Sequence, residues 1–318
     1  YEYGIFKQKL VDGWQTELPD FWLPGGDVWL VPHEESAINI NFEGEVRDTW
    51  ENHYHHVEIE NPTVIQAIPY DMHVAGKDGK GISVLRLWSA KAPGLDMALF
   101  NQGDYMRAME RNAMAEVISK VLYPADNHPE GKSLRLRQQY FLVSASVQDI
   151  VQHHLREFGT MDNFADKVAI HVNDTHPTMA IPELMRIMLD ECGLTWDHAW
   201  SIVQRTVAYT NHTVMREALE CWPVDLFKQR LPRIYQIVEE IDNDGNITCS
   251  NSAWQSTYFF LTTVYASNGY NWSHYTFQGF IYNPYAFQPI PPTPPTKKES
   301  HFKFYLYKRI RKKRKLNY

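Results

Sequence analysis

Two short apolar runs, Lys167 to Val172 and Arg205 to Tyr209, each give way to a dense polar cluster. Asn173-Asp174-Thr175-His176-Pro177 follows the first, and Tyr209-Thr210-Asn211-His212-Thr213 follows the second. Short apolar runs bounded by polar turn formers read as buried strands. The clusters lie about 35 residues apart, and helical periodicity fills the interval. Ile181, Leu184, Met185 and Met188 recur on one helical face, with Pro182 in its first turn, and Thr195 to Gln204 gives a second helix. A strand-helix-helix-strand rhythm implies an α/β architecture in which polar clusters after the strands become ligand loops.

The rest of the chain is less uniform. Residues 1 to about 100 are rich in Trp, Tyr, Pro and Gly, with strand-like segments at Tyr54 to Glu60 and Thr63 to Ile68. Tyr105, Met109, Ala113, Val117 and Val121 mark a helical face between Gly103 and Leu122, and Leu134 to Phe158 continues as a helix. After about Ile241 the character changes. Residues 242–290 contain no Lys, Arg or Glu, and the Pro-rich run Pro289 to Pro295 leads into a basic end. This gives a domain over 1–241 and an irregular tail over 242–318, read either as a low-complexity extension or as sequence outside the native coding frame.

Charge follows the same division. Lys297 to Tyr318 carries ten Lys or Arg and one acid, leaving 21 basic and 37 acidic side chains in the rest. An acidic body is a poor partner for nucleic acid, whatever the basic tail does. No apolar stretch is long enough to span a bilayer, and Tyr1-Glu2-Tyr3 does not open a signal peptide, so a soluble cytoplasmic protein is expected. Cys192, Cys221 and Cys249 are odd in number and lack metal-ligand spacing, which favours free thiols in a reducing compartment.

Several residues could carry chemistry. Asp174 and His176 could pair as general acid and base, ligate a metal, or, with Asn173 and Thr175, simply cap the next helix. Asn211, His212 and Thr213 suit sugar hydroxyls, because amide, imidazole and hydroxyl each offer a donor and an acceptor. Tyr123 to Glu130 ends a helix with prolines and polar acceptors, as a loop over a cleft or as a plain connection. His53-Tyr54-His55-His56 looks metal-like, but alternation along a strand splits the imidazoles between two faces. No metal site is expected.

Read as whole strings, the sequence resembles the α-glucan phosphorylases, the family of glycogen, starch and maltodextrin phosphorylase. The resemblance rests on Tyr1 to Phe6, Val11 to Gln15, Ile68 to Asp71, Arg86 to Pro93, Val121 to Asn127, Asn173 to Arg186 and Tyr209 to Val224. It implies the Rossmann-like N-terminal half of a two-domain glycosyltransferase architecture. The implied activity is phosphorolysis of α-1,4-glucan ends to glucose 1-phosphate, with glucan and phosphate as substrates and a homodimer in the full-length protein.

The same resemblance implies site roles. His212 would act at the catalytic centre, its side chain at the 6-hydroxyl of the glucosyl unit and its backbone carbonyl facing the reacting carbon. Asn127, beside Asp126 on a mobile gate loop, would bind a sugar hydroxyl. Asp174, Thr175 and His176 would line the sugar pocket, with Asn211 and Thr213 flanking His212. Pyridoxal 5'-phosphate is the implied cofactor. Its lysine and the Gly-rich phosphate loop have no counterpart in this sequence, so the isolated chain is expected to be inactive. A non-catalytic glucan-binding or dimerisation module is the alternative. Where regulated members carry an arginine pair for an activating nucleotide, Gln152-His153 stands here.

Overall fold

The computed structural model describes residues 2–21, 28–51, 54–122, 124–210, 212, 220–243 and 273–276. The chain opens with a hairpin of β1 (Tyr3–Val11) and β2 (Trp14–Phe21). Asp12 and Gly13 close it, both at positive φ (51° and 83°), the backbone that a two-residue turn needs to match the strand twist. Next come β3 (Val31–Pro32), β4 (Ile38–Phe42), the hairpin of β5 (Glu45–Glu51) and β6 (Tyr54–Glu60), then β7 (Thr63–Ala75) and β8 (Ile82–Lys91). β7 pairs antiparallel with β3, β4 and β8. The sequence reading stops this strand at Ile68, before a proline, which has no amide to donate to a ladder. It continues through Pro69, whose carbonyl accepts from the His33 amide at 2.9 Å.

Helices α1 (Met97–Asn101) and α2 (Tyr105–Glu116) follow, each capped by an aspartate, Asp96 on the Leu99 amide and Asp104 on that of Arg107. α2 is shorter than the expected 103–122 helix and tightens into a 3-10 turn at Val117–Ser119. The central element is α3 (Pro129–Phe158), which begins five residues before the expected Leu134. His128 is its N-cap, Pro129 sits in the first turn, and Gly159 at φ 70° ends it. Val143 to Val147 are all buried, so α3 is covered on more than one side. Phe42 of β4 meets Tyr140 of α3 edge-on at 5.7 Å, and α5 (Ala180–Arg186) also packs against α3.

The remaining elements are α4 (Phe164–Lys167), β9 (Val168–Asn173), α5 with its wider π turn at Ile187–Glu191, α6 (Trp196–Thr206), β10 (Val207–Thr210), α7 (Val224–Arg230), α8 (Pro232–Asn243) and β11 (Ser273–Thr276). β9 lies between β10 and β11, parallel to both. The expected strand-helix-helix-strand unit is therefore present, in a fold that mixes α and β. Ile170 and Val172 of β9 are fully buried. β11 is an element that the composition of residues 242–290 does not predict. It adds to β9, whose edge would otherwise present unpaired amides and carbonyls.

One buried polar group joins α3 to α5. Glu183 has no exposed surface, and it accepts from Tyr140 Oη and Ser144 Oγ at 2.8 Å each and from Arg186 Nε and Nη2 at 2.9 Å each. Burial, then the Glu183 charge, push the Tyr140 phenol well up, keeping it a donor. Among the described residues no helix is long and apolar enough to cross a membrane.

Candidate functional site

Both polar clusters begin at the carboxyl ends of adjacent parallel strands. Asn173 ends β9 opposite Thr210, which ends β10, and the Asp174 amide donates to the Thr210 carbonyl at 2.8 Å. The chain turns sharply at Asp174, whose φ of 67° is left-handed, a conformation aspartate tolerates better than most residues. Its carboxylate accepts from the Thr175 amide at 2.8 Å. The Thr175 carbonyl then accepts from both the Thr178 amide (3.2 Å) and the Thr178 hydroxyl (2.8 Å). The helix-capping alternative is not what forms: α5 starts after Met179, with no side-chain cap. Asp174 instead stabilises the turn that lifts this loop off the strand.

His212 is exposed, and its Nε2 donates to Asn173 Oδ1. Among the described residues Nδ1 has no hydrogen-bond partner, and it can take up a ligand hydroxyl. Two residues earlier on β9, His171 Nε2 meets Thr210 Oγ1 at 2.5 Å. Tyr209 is half-buried, and burial, then the Asp174 carboxylate, push its phenol up to about 12. Thr175 is buried and His176 half-buried beside this turn. Asn211 and Thr213 lie outside the described residues.

Asp126 and Asn127 stand on a separate loop ahead of α3, both exposed. The loop is pressed against the first turn of the helix: a Cβ on Gly131 would lie 1.8 Å from the Ala125 carbonyl oxygen. His128 fixes the loop's end by accepting from the Gly131 amide at 3.1 Å. One turn on, Arg135 reaches back to Asp126 (Nε to Oδ2, 3.5 Å) and across to Glu220 (Nη2 to Oε1, 2.8 Å). Gln139, another turn on, donates to the same Glu220 oxygen at 2.7 Å. Sequence reasoning missed Arg135, Gln139 and Glu220, because partners 85 and 81 residues apart leave no local pattern. Two polar residues one turn apart on a largely buried helix were the available signal.

The other candidates lead elsewhere. His55 stacks on Trp50 at 4.7 Å and meets Asp48 at 3.3 Å, while His53 lies outside the described residues. Among the described residues no group of three or more His, Cys, Asp or Glu side chains could hold a metal. Gln152 and His153 line a cavity of about 520 Å³ that also holds Arg86. Arg86 is taken up by Asp71 (2.7 Å, twice) and Asp149 (3.0 Å, twice), so its charge is neutralised on both sides.

The sequence profile of the family described as carbohydrate phosphorylase matches residues 1–258. The chain belongs to that family. It is 45% identical over 242 residues to glycogen phosphorylase of Bacillus subtilis (strain 168), an alignment covering 76% of this chain and 29% of that protein. The brain form of glycogen phosphorylase from Homo sapiens is 47% identical over 252 residues, and the Pasteurella multocida glycogen phosphorylase 46% over 250. The chain thus spans 29% of the length of these phosphorylases.

The cofactor implied for a phosphorylase, pyridoxal phosphate, calls for a lysine amine in a closed pocket. No described lysine is buried. Lys91 and Lys120 are pinned to Glu34 and Glu2 at 2.8 Å, and those hydrogen bonds push both ammonium groups up, away from the free amine that imine formation needs. The described residues do not fit the cofactor.

Proposed function

We propose that the loops after β9 and β10, with the Asp126-Asn127 loop, form the sugar-positioning wall of an α-1,4-glucan phosphorylase. The whole protein would use phosphate to release glucose 1-phosphate from glucan ends, with pyridoxal phosphate held by other residues. The supporting observation is that His212, Asn173 and Asp174 converge at two adjacent parallel strand ends, within the stretch that matches the phosphorylase family. Crevices at such strand ends are where open α/β sheets bind ligands, in keeping with a Rossmann-like domain over residues 1–241.

Each residue has a task its chemistry allows. Asn173 orients the His212 ring so that Nδ1 accepts from a sugar hydroxyl. The exposed Asn127 amide offers donors and an acceptor to a second hydroxyl. The Asp174 turn sets the height of both neighbours. These are placement roles, which raise rate by holding the glucosyl unit where it reacts. Exposed Met106 and Met109 on α2 (82% and 56%) support a homodimer, and a cytoplasmic location fits this substrate.

The test is maltoheptaose binding by calorimetry. The chain is expected to bind it, and His212→Ala and Asn127→Ala each to weaken binding about threefold to tenfold, the worth of one neutral hydrogen bond. Lacking a buried lysine among its described residues, the chain is expected to bind without releasing glucose 1-phosphate. Failure to bind, or variants that bind as tightly as the parent, would overturn the reading.

A further inference from the structure

We infer that Arg135 is a positioning residue that couples the Asp126-Asn127 loop to Glu220. This rests on the proposed glucan role for what the loop is for, but the coupling itself is geometric. Gly131, Arg135 and Gln139 recur every fourth residue, so they share one face of α3. At the first turn, the absent side chain of Gly131 lets the Ala125 carbonyl close onto the helix. At the second, Arg135 contacts Asp126, next to Asn127, and Glu220, two residues before Trp222. At the third, Gln139 fixes the Glu220 oxygen that Arg135 uses.

The balance of charge shows which way the clamp acts. The Arg135 and Glu220 side chains are 17% and 14% exposed, whereas Asp126 is 55% exposed. The Arg135–Glu220 contact at 2.8 Å is a charge-assisted hydrogen bond in a partly dry setting, and the 3.5 Å approach to Asp126 is the weaker, wetter leg. Arg135 is thus anchored on the Glu220 side and holds the Asp126-Asn127 loop from there. A guanidinium suits this because its fork serves two carboxylates at once, which an ammonium on a flexible stem does poorly. Closing or opening the loop would then be felt at the segment carrying Glu220, and the reverse.

Hydrogen exchange of the full chain without ligand tests this. Arg135→Met is expected to raise exchange of the Gly131 and Lys132 amides, which bond to His128 at the end of the loop, about tenfold, the scale of one charge-assisted hydrogen bond. Residues 168–172 of β9 should be unchanged. Glu220→Gln is the decisive variant, since the hydrogen bonds of Glu220 go to Arg135 and Gln139 and not to the 125–128 loop: exchange of the Gly131 and Lys132 amides should rise with it too. Arg135→Lys should restore this protection only in part. If Glu220→Gln leaves these two amides at parental exchange, the coupling is overturned. If Arg135→Met does not fold, Glu220→Gln and Gln139→Ala decide by the same readout. Maltoheptaose protection of the parent chain is measured in parallel. Its absence would count against the glucan reading alone, because the unliganded comparison judges the coupling by itself.

Discussion

Replacing Glu183 by alanine is expected to cost about 3–5 kcal/mol of folding stability, the range for breaking a buried ion pair by removing one partner. The carboxylate is fully buried, and both its oxygens are used, by Tyr140, Ser144 and two nitrogens of Arg186. Without it Arg186 keeps, among the described residues, only Glu191 at 2.8 Å, and two hydroxyls lose their acceptor in the α3–α5 interface. Glu183→Gln should cost less, because the amide keeps the shape and one good acceptor. Urea denaturation at neutral pH checks both, as a lower midpoint with little change of slope. A loss below about 1 kcal/mol for the alanine variant would show that the network contributes no more than a surface pair.

Gly131→Ala is the second large effect, and here two influences compete. Alanine is favoured over glycine inside a helix by about 1 kcal/mol. The added methyl, however, would sit 1.8 Å from the Ala125 oxygen and 2.9 Å from its carbonyl carbon. Both are backbone atoms, so no rotamer change relieves the overlap and the loop must lift. Overpacking of this kind costs about 1–3 kcal/mol, which exceeds the helical gain. The expected result is a modest fall in global stability with a local effect at the loop: faster exchange of the Lys132 amide, which bonds to the His128 carbonyl, and maltoheptaose affinity lower by about threefold to tenfold, as when the Asn127 side chain is removed. Unchanged exchange and affinity would mean that the loop is not set by its contact with α3.

What the sequence made legible followed periodicity. Val168, Ile170 and Val172 alternate with half-buried neighbours in β9, and Ala199, Ile202, Val203 and Thr206 line the buried face of α6, so both elements were readable from spacing alone. The meeting of the two polar clusters was also readable, because parallel strands joined by helices bring successive strand ends to one side. Boundaries were less so. Pro129 and Gly131 look like breakers and hid the first turn of α3, although proline in a first turn is a start signal and the glycine answers a tertiary contact rather than a turn. Pro69 hid the second half of β7 for a similar reason. The Arg135, Gln139 and Glu220 cluster was out of reach, since nothing near residue 135 announces a partner at 220.

The matched ends of β9 and β10 also set where this domain can change length. Residues 174–206 connect the strands through turns and helices, and an insertion there moves neither strand end. A single residue added inside Val207–Thr210 is different. The side chains beyond it would switch faces, and the His212 ring would leave Asn173. Insertions and deletions should therefore accumulate in the crossover and stop abruptly at the last residues of the two strands, so that a conserved length marks the site as clearly as a conserved side chain would.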